Sequence, residues 1–442
     1  MRHFTYRLFR ATASLSSRAE RRLTRAGKLA LAALGAAGII GFDTNRTLGY
    51  QAFTFLLVLF VLAFAWRFGF RPRLRARRVL PRFVTAGEPA AYRVVLANDG
   101  GRLERGLALL ENTADPWPSF EEFQTAREPG EARRNWFDRK VGYPRWDWLV
   151  RRNQVALMSP QPLPPLPPGD AGEVRIEFTP RRRGRLELTS VTLARPDPFG
   201  LLNALCTIPL PGSLLVLPKR YPMPALGLPG SRRYQRGGVA LAQSVGDSEE
   251  FVLLRDYRPC DPLRRIHWKS LARVGRPVVR EYQDEFFVRH ALVLDTFTDD
   301  AGGERFEEAV SVAASIACAV QTQDSLLDLL FVGPETYSFT AGRGLSDTER
   351  LLEVLAGVRV CRDKPFRTLH HAVLARGDAL SACVAVLLAW DEPRRQFVRD
   401  LRTRGTPVRA FVIVEAGAPT GEAAGEVHRL EAGRVAEGLR HL

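Results

Sequence analysis

The chain has little of what usually marks an enzyme. Its five cysteines, Cys206, Cys260, Cys318, Cys361 and Cys383, are scattered and odd in number. None forms a Cys-x-x-Cys pair or a Cys/His set at zinc-ligand spacing, which argues against a structural zinc and against a disulfide framework. Cys318 and Cys383 lie in apolar runs and read as small core residues, a usage that fits a reducing compartment. No Gly-x-x-x-x-Gly-Lys-Ser/Thr loop is present, so the chain itself is not expected to hydrolyse nucleotides. A basic domain face is also lacking, although the net charge is +16. Residues 1–80 hold 15 Lys+Arg and 2 Asp+Glu, leaving 49 of the 64 basic and 46 of the 48 acidic residues for the rest. The excess therefore gathers around apolar segments, as in membrane topology signals, and nucleic acid is not an expected partner.

What is present begins at the N-terminus. Residues 1–28 are Arg-rich with Ser and Thr, like a transit or signal n-region. Lys28–Phe42 is an Ala/Gly-rich apolar segment, short for a span; Leu48–Phe70 is long enough to cross about 30 Å of hydrocarbon. A second apolar run so close to the first, with no clear Ala-x-Ala site before it, favours a transmembrane helical hairpin over a cleaved signal peptide. Arg18, Arg21, Arg22, Arg25 and Lys28 precede the first segment, and Arg67, Arg71, Arg73, Arg75, Arg77 and Arg78 follow the second. Both ends then face the cytoplasm, making a multi-pass inner-membrane protein with cytoplasmic soluble domains and basic flanks that attract membrane lipids.

Three regions follow in the expected organisation: 1–78 with the basic N-terminus and two spans, 79–218 as a β-sandwich, and 219–442 as an α/β domain. In the second, Pro81–Gly100 reads as two strands around a Gly-Glu-Pro turn, and Gly172–Pro180 and Gly184–Leu201 alternate apolar and polar residues at period two. Short strands with turn punctuation suggest a sandwich. An insertion, 116–158, interleaves Trp117, Trp136, Trp146 and Trp148 with arginines; it reads equally as a membrane or partner surface and as a long hairpin packed on the sandwich. Pro160–Asp170 reads as a polyproline-type connector.

From Val288 onward strands and helices alternate: His290–Phe297, Ser325–Gly333, Ala382–Trp390 and Pro407–Val414 as continuous apolar strands, with helices at Arg305–Gln321, Asp347–Leu355, Phe366–Ala375 and Pro393–Arg402, and a last helix within Gly425–Leu439. Such alternation implies a doubly wound parallel sheet covered on both faces.

The densest chemistry lies in Phe251–Glu285, which gathers Arg255, Tyr257, Asp261, Trp268, Lys269, Arg273 and further charges into one short segment. Ile266 and Trp268 alternate with His267 and Lys269, suggesting a short strand or extended turn, and Pro259 and Pro262 bracket a tight turn. A solvated loop is the bland alternative, but Tyr257 and Trp268 favour an ion-pair network or docking surface. The order Arg255-x-Tyr257, Asp261, Ile266-x-Trp268-Lys269, Ala272-Arg273 resembles the signature of a bacterial family known as domain of unknown function 58, with Cys260 where the family has Gly. Asp197-Pro198-Phe199-Gly200 resembles a second conserved piece of that family and reads as a structural turn closing the sandwich. The resemblance covers roughly residues 80–400. It implies a membrane-anchored accessory protein, often paired with an AAA+ ATPase of the MoxR type and sometimes with a transglutaminase-like membrane protein. The docking or interdomain surface would be Arg255, Tyr257, Asp261, Ile266, Trp268, Lys269 and Arg273, with no catalytic residue. A hydrolase using Cys260 and His267 is the weaker rival, because nothing orients the His.

Ligands of open α/β sheets bind beyond the carboxyl ends of the strands. There, Asp295, Thr368 and Asp391 follow an order that resembles a von Willebrand factor A domain, whose Asp-x-Ser-x-Ser loop, Thr and second Asp bind a divalent metal. The resemblance implies an Mg²⁺ set of Asp295, Asp299, Thr368 and Asp391, and with it a metal-dependent adhesion module as the alternative function. Phe297 stands at one Ser position and cannot ligate, so a degenerate site with helix-capping carboxylates is the competing expectation.

Overall fold

The computed structural model describes residues 2–40, 47–126, 128, 131, 134–224, 226, 228, 251–259, 263, 266–282, 288–298, 303–320, 325–333, 336–341, 345–415, 421–423 and 427–440. The chain forms two compact units, one of residues 1–220 with 353–357, the other of 221–352 with 358–442.

The first unit opens with three helices, α1 (Arg2–Arg22), α2 (Arg25–Ile40) and α3 (Thr47–Trp66). The Arg-rich start is a folded helix, because its apolar residues recur at helical spacing and find a packing partner. Leu48–Gly69, with mean hydropathy 2.1, is the one helix among the described residues long and apolar enough to cross a membrane. The 16-residue α2 reaches only about 24 Å. It lies beside α3, with Gly38 facing Phe53.

Nine strands build two facing sheets. One has the order β1 (Leu74–Val79), β3 (Ala90–Asn98), β7 (Ala171–Pro180), β5 (Ala156–Met158). The other runs β2 (Phe83–Thr85), β9 (Asn203–Leu217), β8 (Gly184–Pro196), β4 (Ala108–Thr113), β6 (Gln161–Pro162). Alternation decides the faces: Val174, Ile176 and Phe178 of β7 are buried while Glu173, Arg175 and Glu177 face water. Inward residues of both sheets, among them Val94, Leu96, Leu109, Leu188 and Val216, form one core.

Three details differ from the sequence expectation. Strand β1 begins at Leu74, so Arg75 and Arg78 are sandwich residues and not only a membrane flank: Arg75 pairs with Asp99, and buried Arg78 with Glu111 at 3.0 Å. The two strands of Pro81–Gly100 do not form a hairpin; β2 pairs with β9 and β3 with β1 and β7. Pro160–Asp170 is no free connector, since β6 pairs with β4 and Leu166 is buried in a bridge to Glu104.

The insertion is likewise not a hairpin. It forms α4 (Phe120–Thr125), α5 (Trp136–Val141) and α6 (Tyr143–Asn153). Ser119 and Asn135 cap α4 and α5 by accepting from the N–H groups of Glu122 and Asp138. Its aromatic residues bury one face of α1: Tyr6 packs edge-on against Trp146 and donates to the Pro118 carbonyl at 3.0 Å, and Phe9 meets Phe123 and Tyr143. Tyr6, Phe123, Trp146 and Leu149 make a small core of their own.

The Asp197–Gly200 turn does more than close the sandwich. Buried Asp197 accepts from the N–H groups of Phe199 and Leu202, and Gly200 takes a positive φ of 69°. This holds the Gly200 and Leu201 carbonyls toward the α1–α2 joint, where the Thr24 hydroxyl and N–H donate to them. Gly27 of α2 sits so close that a Cβ there would lie 1.9 Å from the Leu201 oxygen.

In the second unit, β10 (Phe251–Asp256) and β11 (Val278–Tyr282) form a two-stranded antiparallel ribbon. Seven strands form the main sheet: β12 (Val288–Leu294), β13 (Ser325–Val332), β14 (Thr336–Ala341), β15 (Ala382–Leu387), β16 (Val408–Val414), β17 (Gly421–Ala423) and β18 (Val427–Glu431), in the order β14-β13-β12-β15-β16-β18-β17. The central five are parallel and the two edges antiparallel. The helices of the region are α7 (Trp268–Val274), α8 (Glu304–Ala319), α9 (Leu345–Gly357), α10 (Arg367–Leu374), α11 (Glu392–Thr403) and α12 (Val435–Arg440). Every residue of β15 is buried, as a central strand covered on both faces requires. Three strands of this sheet escaped the sequence reading: β14, β17, and β18, which stands where the last helix was expected, that helix being confined to α12.

Candidate functional site

Two places in the second unit gather the residues singled out by sequence. The first is the carboxyl end of the sheet. Strand order reverses direction of travel at β12, whose neighbours are β13 and β15; a crevice at such a switch point is where open α/β sheets hold ligands. Asp295 follows β12 directly and Asp391 follows β15 by four residues.

These two carboxylates converge, but on a residue the sequence reading missed. Asp295 is fully buried. Its Oδ1 accepts from the Phe297 N–H at 3.0 Å, and its Oδ2 from the Leu388 N–H at 3.1 Å and Arg394 Nε at 2.7 Å. Asp391 is the N-cap of α11: Oδ1 accepts from the Arg394 N–H at 3.2 Å, and Oδ2 from Arg394 Nη1 at 2.6 Å. Arg394 Nη2 donates to the Phe297 carbonyl at 3.1 Å, and the guanidinium lies over the Phe366 ring at 4.7 Å. Burial works against the charge of Arg394, but Asp295 and then Asp391 outweigh it and hold its pKa above the ordinary arginine value. The signal was in the sequence: Asp391-Glu392-Pro393 is a helix start, and Arg394 stands three residues after the cap, on the same first turn.

This donor set does not fit a divalent cation. A guanidinium already bridges the two carboxylates, and Phe297, packed edge-on against Phe366, supplies no side-chain oxygen. Thr368, half-buried at the start of α10, makes its backbone bond to the Pro365 carbonyl and none of the hydrogen bonds of the Asp295–Arg394–Asp391 cluster. Asp299 lies outside the described residues. The described residues contain no cluster of three or more His, Cys, Asp or Glu suited to a metal.

The second place is the signature segment. Its residues divide by burial. Ile266 is buried and bridges Val279 of β11, and the His267 N–H donates to the Val278 carbonyl at 2.8 Å. From Trp268 the chain turns into α7, so Trp268 and Lys269 are helical rather than part of an extended strand; Gly275, at φ 70°, ends the helix in the left-handed region. His267 Nδ1 lies 2.6 Å from the Ser270 hydroxyl, a local contact across the first turn. Trp268 is 64% exposed, and Lys269, Arg273 and Val274 are also exposed. Leu263 adds another exposed apolar side chain. Tyr257 is half-buried, with its N–H donating to the Pro277 carbonyl. Arg255 lies in β10 opposite Val279; its side chain, like Cys260 and Asp261, falls outside what is described. Among the described docking residues, Ile266 is buried while Trp268, Lys269 and Arg273 face outward.

Comparison with known proteins covers the signature segment and Asp295 but stops short of Asp391 and Arg394. Residues 253–385 match the family described as "Protein of unknown function DUF58". An uncharacterized protein of Bacillus subtilis (strain 168), YeaD, is 28% identical over 178 residues, 39% of this chain and 42% of the relative's length. Among solved structures, an ASH/PapD-like domain of human CEP192 (PapD-like domain 7) is 15% identical, covering 33% of this chain and 86% of that chain at a TM-score of 0.19. A GH20 exo-β-N-acetylglucosaminidase from Vibrio harveyi is 8% identical, covering 78% of this chain and 57% of that chain at a TM-score of 0.13. Neither structural likeness is close enough to carry an argument. The similarity that bears on this chain is thus the DUF58 match, which begins inside β10 and ends inside β15.

Proposed function

We propose that this chain is a membrane-anchored, non-enzymatic adaptor that presents α7 of the signature segment to a protein partner. The observation that carries the proposal is Trp268: an indole left two-thirds exposed on a short helix that also exposes two basic side chains, Lys269 and Arg273. Tryptophan and arginine are the side chains most enriched at binding hot spots. The partner face is therefore apolar at its centre and acidic at its rim. The resemblance to the domain of unknown function 58 family points to an AAA+ ATPase of the MoxR type as that partner, with a transglutaminase-like membrane protein as a further associate.

In this reading α2 and α3 form a hairpin whose two ends and both soluble units are cytoplasmic, at the inner membrane. Their side-by-side packing and the flanking arginines support it. The α/β unit is of von Willebrand factor A type, which its switch point between β13 and β15 and its antiparallel edge strand β14 support. Partner binding at the strand ends through a shared metal is not part of the proposal, because Arg394 occupies both carboxylates.

The test is affinity capture from detergent-solubilised membranes with wild type, Trp268→Ala and Arg273→Glu, each first checked for membrane insertion. An AAA+ ATPase recovered with wild type and lost with both variants is the expected result. Equal recovery with all three would move the docking surface away from α7, and recovery of no ATPase would overturn the choice of partner.

A further inference from the structure

Helix α1 has two apolar faces, and only one is accounted for. Tyr6, Phe9 and Ala13 face the aromatic side chains of the insertion. On the opposite side Phe4, Leu8 and Leu15 stand at i, i+4 and i+11, one stripe of a helix, and are 72%, 48% and 70% exposed. A helix that merely covered a soluble domain would carry polar residues there. Instead, Arg7 and Arg18 border the stripe on one side and Arg22 continues its line at the C-terminal end; all are exposed, and none has a carboxylate partner among the described residues. Glu20 is the only acidic residue in the first 28, against eight Lys and Arg.

We propose that this outer face of α1 lies in the headgroup region of an anionic bilayer, as an in-plane helix beside the span. The inference rests on the membrane-anchored reading above. Apolar side chains on one stripe with arginines on its border are what an interfacial helix offers to lipid: the stripe enters the acyl boundary and the guanidinium groups meet phosphate. Continuity favours lipid over another protein. Only Leu23 and Thr24 separate α1 from α2, which lies against the apolar α3. The joint is held by the Gly200–Leu201 carbonyls, so α1 is kept next to the segment that enters the membrane. The helix then has two jobs: its inner face seats the insertion, and its outer face lays that assembly on the lipid surface.

The test uses the full chain in vesicles of phosphatidylcholine with or without phosphatidylglycerol. Benzoylphenylalanine is placed singly at Leu8, Leu15, Phe55 of α3 and Leu157 of β5, the last two exposed controls for span and sandwich. After irradiation, lipid adducts are read by mass spectrometry. The expected result is adducts at Leu8, Leu15 and Phe55 but not Leu157, with those at Leu8 and Leu15 falling several-fold without phosphatidylglycerol or in an Arg7→Gln/Arg18→Gln/Arg22→Gln variant while Phe55 is unchanged. Adducts at Phe55 alone would overturn the inference and leave the anchor intact. Chain-to-chain adducts at Leu8 would overturn it in favour of a second copy. No adduct even at Phe55 would overturn the anchored reading itself.

Discussion

The strand-end cluster and the signature helix use the same residue types to opposite ends. At the strand ends, Arg394 is buried and every strong donor it has is directed at Asp295, Asp391 or the Phe297 carbonyl. On α7, Lys269 and Arg273 face water beside an exposed indole. A buried charge must be paired to be tolerated, so a satisfied cluster such as the first is closed to outside ligands. Surface charge around an exposed aromatic ring has no such internal debt and remains available. The place that looks most like a ligand site by topology is therefore sealed at Asp295 and Arg394, with Asp391 half in water, and the open chemistry lies in a ribbon-and-helix outside the main sheet.

Substitutions should separate the two sharply. Arg394→Ala leaves Asp295 buried without its charge partner, and breaking a buried pair this way costs about 3–5 kcal/mol. Amide exchange of peptides from β12 and β15 should accelerate accordingly, and unchanged protection would contradict the sealed cluster. Gly27→Leu comes next: the side chain collides with the Leu201 carbonyl, and overpacking of this kind costs about 1–3 kcal/mol. Its readout is loss of protection at the α1–α2 joint with the α/β unit untouched. Asp391→Ala removes an N-cap and one arm of the cluster, but half of this carboxylate is already in water, so about 1 kcal/mol is expected from the cap. A result equal to that of Arg394→Ala would mean that Asp391, not Asp295, holds the guanidinium. Trp268→Ala should change stability by under about 0.5 kcal/mol, the surface range, while removing partner capture. A large stability loss would make the indole structural.

Acid should weaken the α/β unit without a substitution. Burial holds His290 below the ordinary histidine value of 6.5, and burial, offset in part by Asp400, does the same for His370. The unfolded chain then binds protons more readily than the folded one. This stabilising contribution is full above the unfolded value and is lost as pH falls through the lower folded values. Unfolding midpoints measured across that window should fall toward acid, and His290→Gln should flatten the slope.

Much of this was legible in the sequence because period alone carries it. The alternation of β7 and the continuous apolar runs of β12, β15 and β16 announced strands and their burial. Strands at or next to a sheet edge were not: β14, β17 and β18 are short of the apolar signal that a doubly covered strand shows, and Pro162 sits on an edge strand, where proline is tolerated. The insertion misled for a different reason. Trp146 and Tyr6 are 140 residues apart in sequence and meet only in the fold, so neither the burial of the Trp/Arg segment nor the inner face of α1 could be read locally. At the strand ends, attention to carboxylates as metal ligands obscured the basic residue three positions further on.

The central claim is that α7, not the strand-end cluster, meets the partner. The most direct measurement is photocrosslinking in intact cells with benzoylphenylalanine at Trp268 and, separately, at Asp391, followed by identification of the crosslinked peptides. An AAA+ ATPase joined at position 268 and not at 391 is the expected result. The reverse pattern would contradict it.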